Sequence, residues 1–256
     1  MILSNFKSIN KKFYKKVLLL SPIIIVIYSA CVNINYNMMD RYSFFDKLTP
    51  YDIYYFIIND PLIELTINIP ILLFFLINII NSENYFIVSR FNSKADYINY
   101  KMGELIYINL IISILFTLTI YSTSYLLTSN HIFNLYDYKG PISLVFNNNK
   151  IINKNTAINK YTFILINYYM FFIRNFFISV IMLTITKFIN LVFSFMITIF
   201  PFMVSAWMNG NLVHFFILDV TNINNTIGLV VKLIFITFLY ILPRNVYHCL
   251  EERKIL

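Results

Sequence analysis

The sequence predicts an all-α polytopic membrane protein: one domain, residues 1–256, built from six transmembrane helices. Three observations predict it. Hydrophobic residues make up 59% of the chain and charged residues only 12%, against about 25% charged in a soluble protein. Long stretches carry no charge at all: 17–39, 65–82, 105–136 and 188–218. Two more are interrupted once, 161–186 by Arg174 and 220–243 by Lys232. A bilayer core about 30 Å thick needs about 20 apolar residues in a helix, so these runs place spans at 17–35, 62–83, 103–128, 162–186, 188–208 and 227–246. The apolar runs are continuous and do not alternate, which excludes a porin-like barrel. Disorder, collagen and a secreted disulfide scaffold are excluded by the same composition.

The formal charge of +8 orients the chain. With the N-terminus in the cytoplasm, twelve basic residues face five acidic ones inside (+7) and six face seven outside (−1), with Arg174 and Lys232 in the membrane. Lys/Arg bias on the inner side sets topology, so both termini are expected in the cytoplasm; Ile, Asn, Lys, Tyr and Phe abound, all with A/T-rich codons, so an AT-rich bacterial genome and a bacterial cell membrane are expected. The lysines of the 137–160 loop run against this trend. A mean hydropathy of +0.68 leaves too little polar surface for a nucleic-acid partner.

At the N-terminus, Phe6, Ile9, Phe13 and Val17 recur at steps of three and four, one face of a helix. Lys7, Lys11, Lys12, Lys15 and Lys16 occupy the rest. Residues 1–16 are therefore expected as an amphipathic interfacial helix, its lysines on anionic membrane lipid. A charge cluster serving orientation alone gives the same pattern. Ser29-Ala30-Cys31 gives the first 31 residues the look of a secretory signal, but Tyr28 and the spans that follow favour a retained helix. Cys31 and Cys249 fall on opposite sides and are not expected to pair. After this span, Tyr51, Tyr54, Tyr55 and Ile58 alternate with polar positions, so 42–60 is expected as an interfacial helix on the outer side.

The longest inner connection runs from Glu83 to Lys101 and divides at Asn92-Ser93. Ser93 with Asp96 three residues on is a capping-box-like start, which predicts a new helix there. The first half, with Tyr85, Phe86, Val88 and Phe91, is too apolar for a solvated loop and suits a short helix under the membrane. Farther on, the apolar run 212–218 is too short to cross. Such segments lie in the interface or re-enter where protein buries them, and 209–226 is read so. Trp207 falls at the outer interface.

Glu83, Arg90, Ser93-Lys94, Tyr97 and Lys101, in that order, resemble the loop between the second and third spans of bacterial ABC-2-type transporter permeases. The six spans, inner termini, N-terminal interfacial helix and short segment before the last span are similar to that family too. The resemblance implies that 83–101 is a cytoplasmic coupling helix docking into an ABC ATPase subunit. Arg90 and Lys94 would meet acidic groups there, with Tyr85, Phe86 and Phe91 as apolar anchors. It implies a re-entrant pair at 209–226 and a second six-span permease, the same or homologous, as partner. Within the family, small low-complexity permeases of lantibiotic immunity and cytolytic-peptide export are similar, which implies an amphipathic peptide as substrate.

A charge at the middle of a span is costly, so Arg174 is expected to face the bundle interior with Asn167 on the same face. It either lines a substrate path or pairs structurally with a carboxylate such as Glu64. Lys232 is expected to snorkel outward.

The chain holds no GxxxxGK[ST] loop, and its glycines at 103, 140, 210 and 228 are scattered. No cofactor of its own is expected; ATP and Mg would bind the partner subunit, and the chain is not expected to be an enzyme. Histidines 131, 214 and 248 have no metal-ligand spacing. Glu251-Glu252 resembles the paired glutamates of intramembrane CAAX-type proteases, but Arg253 follows at once and His248 is a weak histidine partner. A non-transporting accessory, sensor or immunity protein is the alternative class.

Overall fold

In the computed structural model, residues 11–41, 48–80, 94–129, 131, 159–186, 188–207, 241 and 245 are described. All the elements among them are helical: α1 (Lys11–Arg41), α2 (Pro50–Asn59), α3 (Pro61–Ile63), a π-helical turn (Glu64–Asn68), α4 (Ile69–Ile80), α5 (Lys94–Leu127), α6 (Lys160–Ile185) and α7 (Leu191–Trp207). Three helical stretches are long and apolar enough to cross a membrane, at Val17–Met39, Asp96–Leu127 and Lys160–Ile185. A fourth crossing is available if α2 and the helix after it form one bent span. The six spans of the sequence reading thus reduce, among the described residues, to three or four, with α7 a shorter apolar helix. The segments 209–226 and 227–246 lie outside the described residues, apart from positions 241 and 245.

Helix α1 is described from Lys11 and continues unbroken to Arg41, so Lys11, Lys12, Lys15 and Lys16 sit on the same helix as the first span. Pro22 lies inside it. A proline has no N–H and leaves the carbonyl four residues back without its helical donor. That carbonyl is Leu18 O, and Ser21 Oγ donates to it at 2.8 Å. Helix α5 is described from Lys94, with Asp96 in its first turn; Ser93, the start that the Ser93/Asp96 pattern predicts, lies outside the described residues. Asn159 caps α6, its side chain accepting from Tyr161 N–H. Asn190 opens α7, with Phe193 N–H donating to its side chain at 3.0 Å.

Helix α5 is the hub, packing on α1, α2, α4 and α6. Asn109 on α5 meets Ser179 on α6, and Phe116 stacks on Phe171. Residue numbers rise on one helix as they fall on the other, so the two are antiparallel.

The region expected as an outer interfacial helix differs most from expectation. Thr49 and Asp52 form a full capping box with Pro50 in the first turn, which fixes the start of α2. From there α2 runs down inside the bundle. Tyr51 reaches the Tyr121 hydroxyl and the Phe163 ring, Tyr54 donates to Ile164 O, and Ile58 lies level with Arg174. Its Tyr51, Ile53, Tyr54, Ile57 and Ile58 are buried. The apolar face meets protein, because α5 and α6 supply an aromatic surface for its tyrosines.

Helix α2 ends at Asp60-Pro61, where the axis turns by 69°. Pro61 cannot donate to Ile57 O, and Leu62 N–H is taken by Asp60 Oδ1 at 2.8 Å. Two carbonyls at the end of α2 therefore lose their helical donors. One turn later Ile69 N–H bonds Glu64 O, the widened spacing of a π turn.

Candidate functional site

The break positions a buried polar cluster. The π turn holds Glu64 and Asn68 on one side, and both are almost fully buried, at 1% exposure each. Arg174, from the middle of α6, enters opposite them and is 2% exposed. Its Nη2 lies 2.7 Å from Glu64 Oε2 and donates to Ile58 O at 3.1 Å, one of the carbonyls freed by the break. Asn68 Nδ2 donates to the same Glu64 oxygen at 2.8 Å. The guanidinium also lies over the Phe171 ring at 5.2 Å.

From Phe171 the contacts continue outward. Phe116 stacks on it at 3.9 Å, and Tyr28 of α1 meets Phe116 edge-on at 4.8 Å. A chain of contacts thus runs from Tyr28 on α1 through Phe116 on α5 and Phe171 on α6 to the ion pair at the π turn. An edge-on pair such as Tyr28–Phe116 contributes about 0.5–1.5 kcal/mol beyond its area.

The polar chemistry of the cluster is only partly consumed. Glu64 Oε2 takes two donors while Oε1 takes none, and Asn68 Oδ1, Arg174 Nε and the Tyr28 hydroxyl are buried without a hydrogen-bond partner. Buried polar groups are nearly always satisfied by protein or water, so these atoms are suited to hold water or a small polar group at the break. Among the described residues no group of three His, Cys, Asp or Glu side chains is placed to hold a metal.

The site residues singled out in the sequence fall in three places. Arg174 is in the cluster. Asn167 is buried two turns earlier and donates to Phe163 O on its own helix at 2.9 Å, so the two share a face but no partner. Of the connection, Lys94 opens α5, while Tyr97 and Lys101 lie farther along it, 4% and 1% exposed. Lys101 Nζ pairs with Glu104 at 3.3 Å and lies over the Tyr97 ring at 5.7 Å. Both are packed within this chain. Glu83, Tyr85, Phe86, Arg90, Phe91 and Lys7 lie outside the described residues.

Sequence reasoning named Glu64 as a partner for Arg174 but missed Tyr28, Asn68 and the carbonyl of Ile58. The Asn59-Asp60-Pro61 run was the available signal, since proline after a capping residue ends one helix and starts another. It also missed the Asn109–Ser179 bond, 2.9 Å long and buried between α5 and α6.

Comparison with protein-family models, with curated proteins and with solved structures finds no match for this chain.

Proposed function

We propose that the chain is the transmembrane subunit of a bacterial ABC-2-type exporter, driven by a separate cytoplasmic ATPase subunit and working beside a second permease subunit. The observation that carries this reading is the order Glu83, Arg90, Ser93-Lys94, Tyr97, Lys101 across the connection after α4 and the start of α5. The length of α5 supports it: 34 residues, about 51 Å at 1.5 Å per residue, exceed what a bilayer core needs. A push on the connection would travel along one rigid helix to the aromatic core at Phe116. The substrate in this reading is an amphipathic or cytolytic peptide. The test is purification of the tagged chain from its native host. A P-loop ATPase should co-purify, and Arg90→Glu should abolish both its retention and substrate efflux. An unaccompanied chain whose efflux ignores Arg90→Glu would sink the proposal.

One observation favours a second reading, a non-transporting accessory, sensor or immunity protein. Arg174 is held by Glu64 and Ile58 O and is 2% exposed, an arrangement that suits a fixed brace better than the lining of a substrate path. In that case the chain alone, without an ATPase, would protect membranes or bind its partner.

A further inference from the structure

Helix α5 carries a polar stripe on its buried side. Asn109, Ser113, Thr117 and Ser124 follow one another at steps of four, four and seven, which keeps them on one helix face. All four are buried. The stripe extends for about 22 Å at 1.5 Å per residue, most of the way through an apolar core about 30 Å thick. At its start it faces α6, where Asn109 Nδ2 donates to Ser179 Oγ at 2.9 Å. With Phe116 stacked on Phe171 farther along, the antiparallel register sets Ser113 level with Asn175, one turn on from that bond. Ser113 lies 17 residues after Asp96 and 14 before Leu127, and Asn175 lies 15 after Lys160 and 10 before Ile185. Both therefore sit near the middle of their spans.

A hydroxyl inside a span commonly donates to the carbonyl four residues back on its own helix, as Ser179, Thr184 and Thr198 do. Ser113 and Ser124 do not. The Oγ of each is buried without a partner in the protein, and so is Asn175 Oδ1. Ser113 thus brings a donor and Asn175 an acceptor to one level of the bundle without bonding each other. Buried polar atoms are nearly always satisfied by protein or by ordered water, and two such groups beyond direct reach are joined by a bridging water. Two polar partners are enough to hold one. The three side chains are uncharged and offer donors as well as acceptors, which suits water and not an ion.

We propose that the buried face of α5 is a hydrated track. One water bridges Ser113 Oγ and Asn175 Oδ1 at mid-membrane, and another bonds Ser124 Oγ nearer the Leu127 end. The Phe116–Phe171 stack lies between the two levels and keeps them apart. A seam lined in this way exposes polar groups when α5 and α6 part, so it is where water-soluble groups would enter the bundle. The track goes beyond the exporter reading and stands without it, since it involves neither the ATPase connection nor a second subunit.

Exchange of single thiols with heavy water tests it. In a chain with Cys31→Ser and Cys249→Ser, Ser113→Cys and Ser124→Cys each replace one oxygen by sulfur and place a thiol on the stripe. Leu118→Cys, on the exposed apolar face of α5, and Ile112→Cys, in the apolar core, are the dry references. The protein in lipid vesicles is transferred to D2O and the S–H stretching band is followed by infrared spectroscopy. The thiols at 113 and 124 should lose the band while both references retain it. Retention at 113 and 124 for as long as in the references would overturn the track. In a second measurement on the otherwise intact chain, Ser113→Ala should lower the melting temperature in detergent, because it strands Asn175 Oδ1 and takes a partner from the water. Removing a dry, unpartnered hydroxyl is neutral or stabilising, so an unchanged or raised melting temperature would refute the bridge. Neither readout involves ATPase retention, so the track and the exporter reading fail separately.

Discussion

Arg174 and Glu64 meet at 2.7 Å where α6 passes the broken end of α2, and each is almost completely buried. Removing one member of such a pair strands a charge and typically costs about 3–5 kcal/mol, whereas replacing both with apolar groups of similar volume is often close to neutral. Arg174→Leu and Glu64→Leu should therefore each lower the melting temperature and the amount of protein in the membrane. The double variant should recover most of both. If the double variant is as damaged as the singles together, the pair is not coupled. Efflux measured at matched protein level then separates a brace from a path residue: recovery of efflux in the double variant marks a brace.

How far this site was legible follows from the residues themselves. A lone arginine in the middle of an apolar run must find a partner, and Glu64 borders the apolar run 65–82, so composition alone narrows the pairing. The route of α2 was not legible in this way. The alternation of Tyr51, Tyr54, Tyr55 and Ile58 describes an apolar face but not what covers it, and lipid, interface and protein produce the same pattern. Only tertiary contact with Tyr121 and Phe163 decides. The π turn at Glu64–Asn68 is a slip of one residue in hydrogen-bond register, which leaves no mark on hydrophobic periodicity. Similarly, Lys101 reads as a basic loop residue until Glu104, three positions on, is seen to take its charge.

The start of α2 rests on the capping box, with Thr49 N–H donating to Asp52 Oδ2 at 2.9 Å and Asp52 N–H to Thr49 Oγ1 at 3.3 Å. Replacing an N-cap threonine with alanine costs about 1 kcal/mol. Thr49→Ala and Asp52→Ala should each destabilise by about that much or more, because both residues are buried. Since they serve one motif, the double variant should fall short of the sum. Thermal unfolding in detergent reads the cycle, and strict additivity would count against a shared cap.

Phe116 joins Tyr28 to Phe171 and through it to Arg174. It is fully buried, and truncating a buried phenylalanine to alanine costs about 3–5 kcal/mol. Phe116→Ala should thus be among the most damaging apolar substitutions in α5. Phe116→Leu keeps most of the volume but loses both ring contacts, and a smaller loss is expected. A similar loss for Leu118→Ala, at a position 62% exposed, would show that the assay reads membrane insertion in place of core packing.

Gly103 lies near the base of α5, between Lys101 and Glu104, and a methyl group added there meets nothing within 4 Å. Glycine inside a helix costs about 0.8–1.0 kcal/mol relative to alanine, partly because the unfolded chain loses more freedom. With open space at the Cβ position, Gly103→Ala should raise stability by an amount of that order, seen as a higher melting temperature in detergent. The same substitution probes how α5 works in the exporter reading. A helix that transmits force as a rigid rod is unharmed by stiffening, so efflux at matched protein level should be unchanged. A rise in melting temperature with a fall in efflux would instead mark the base of α5 as a hinge.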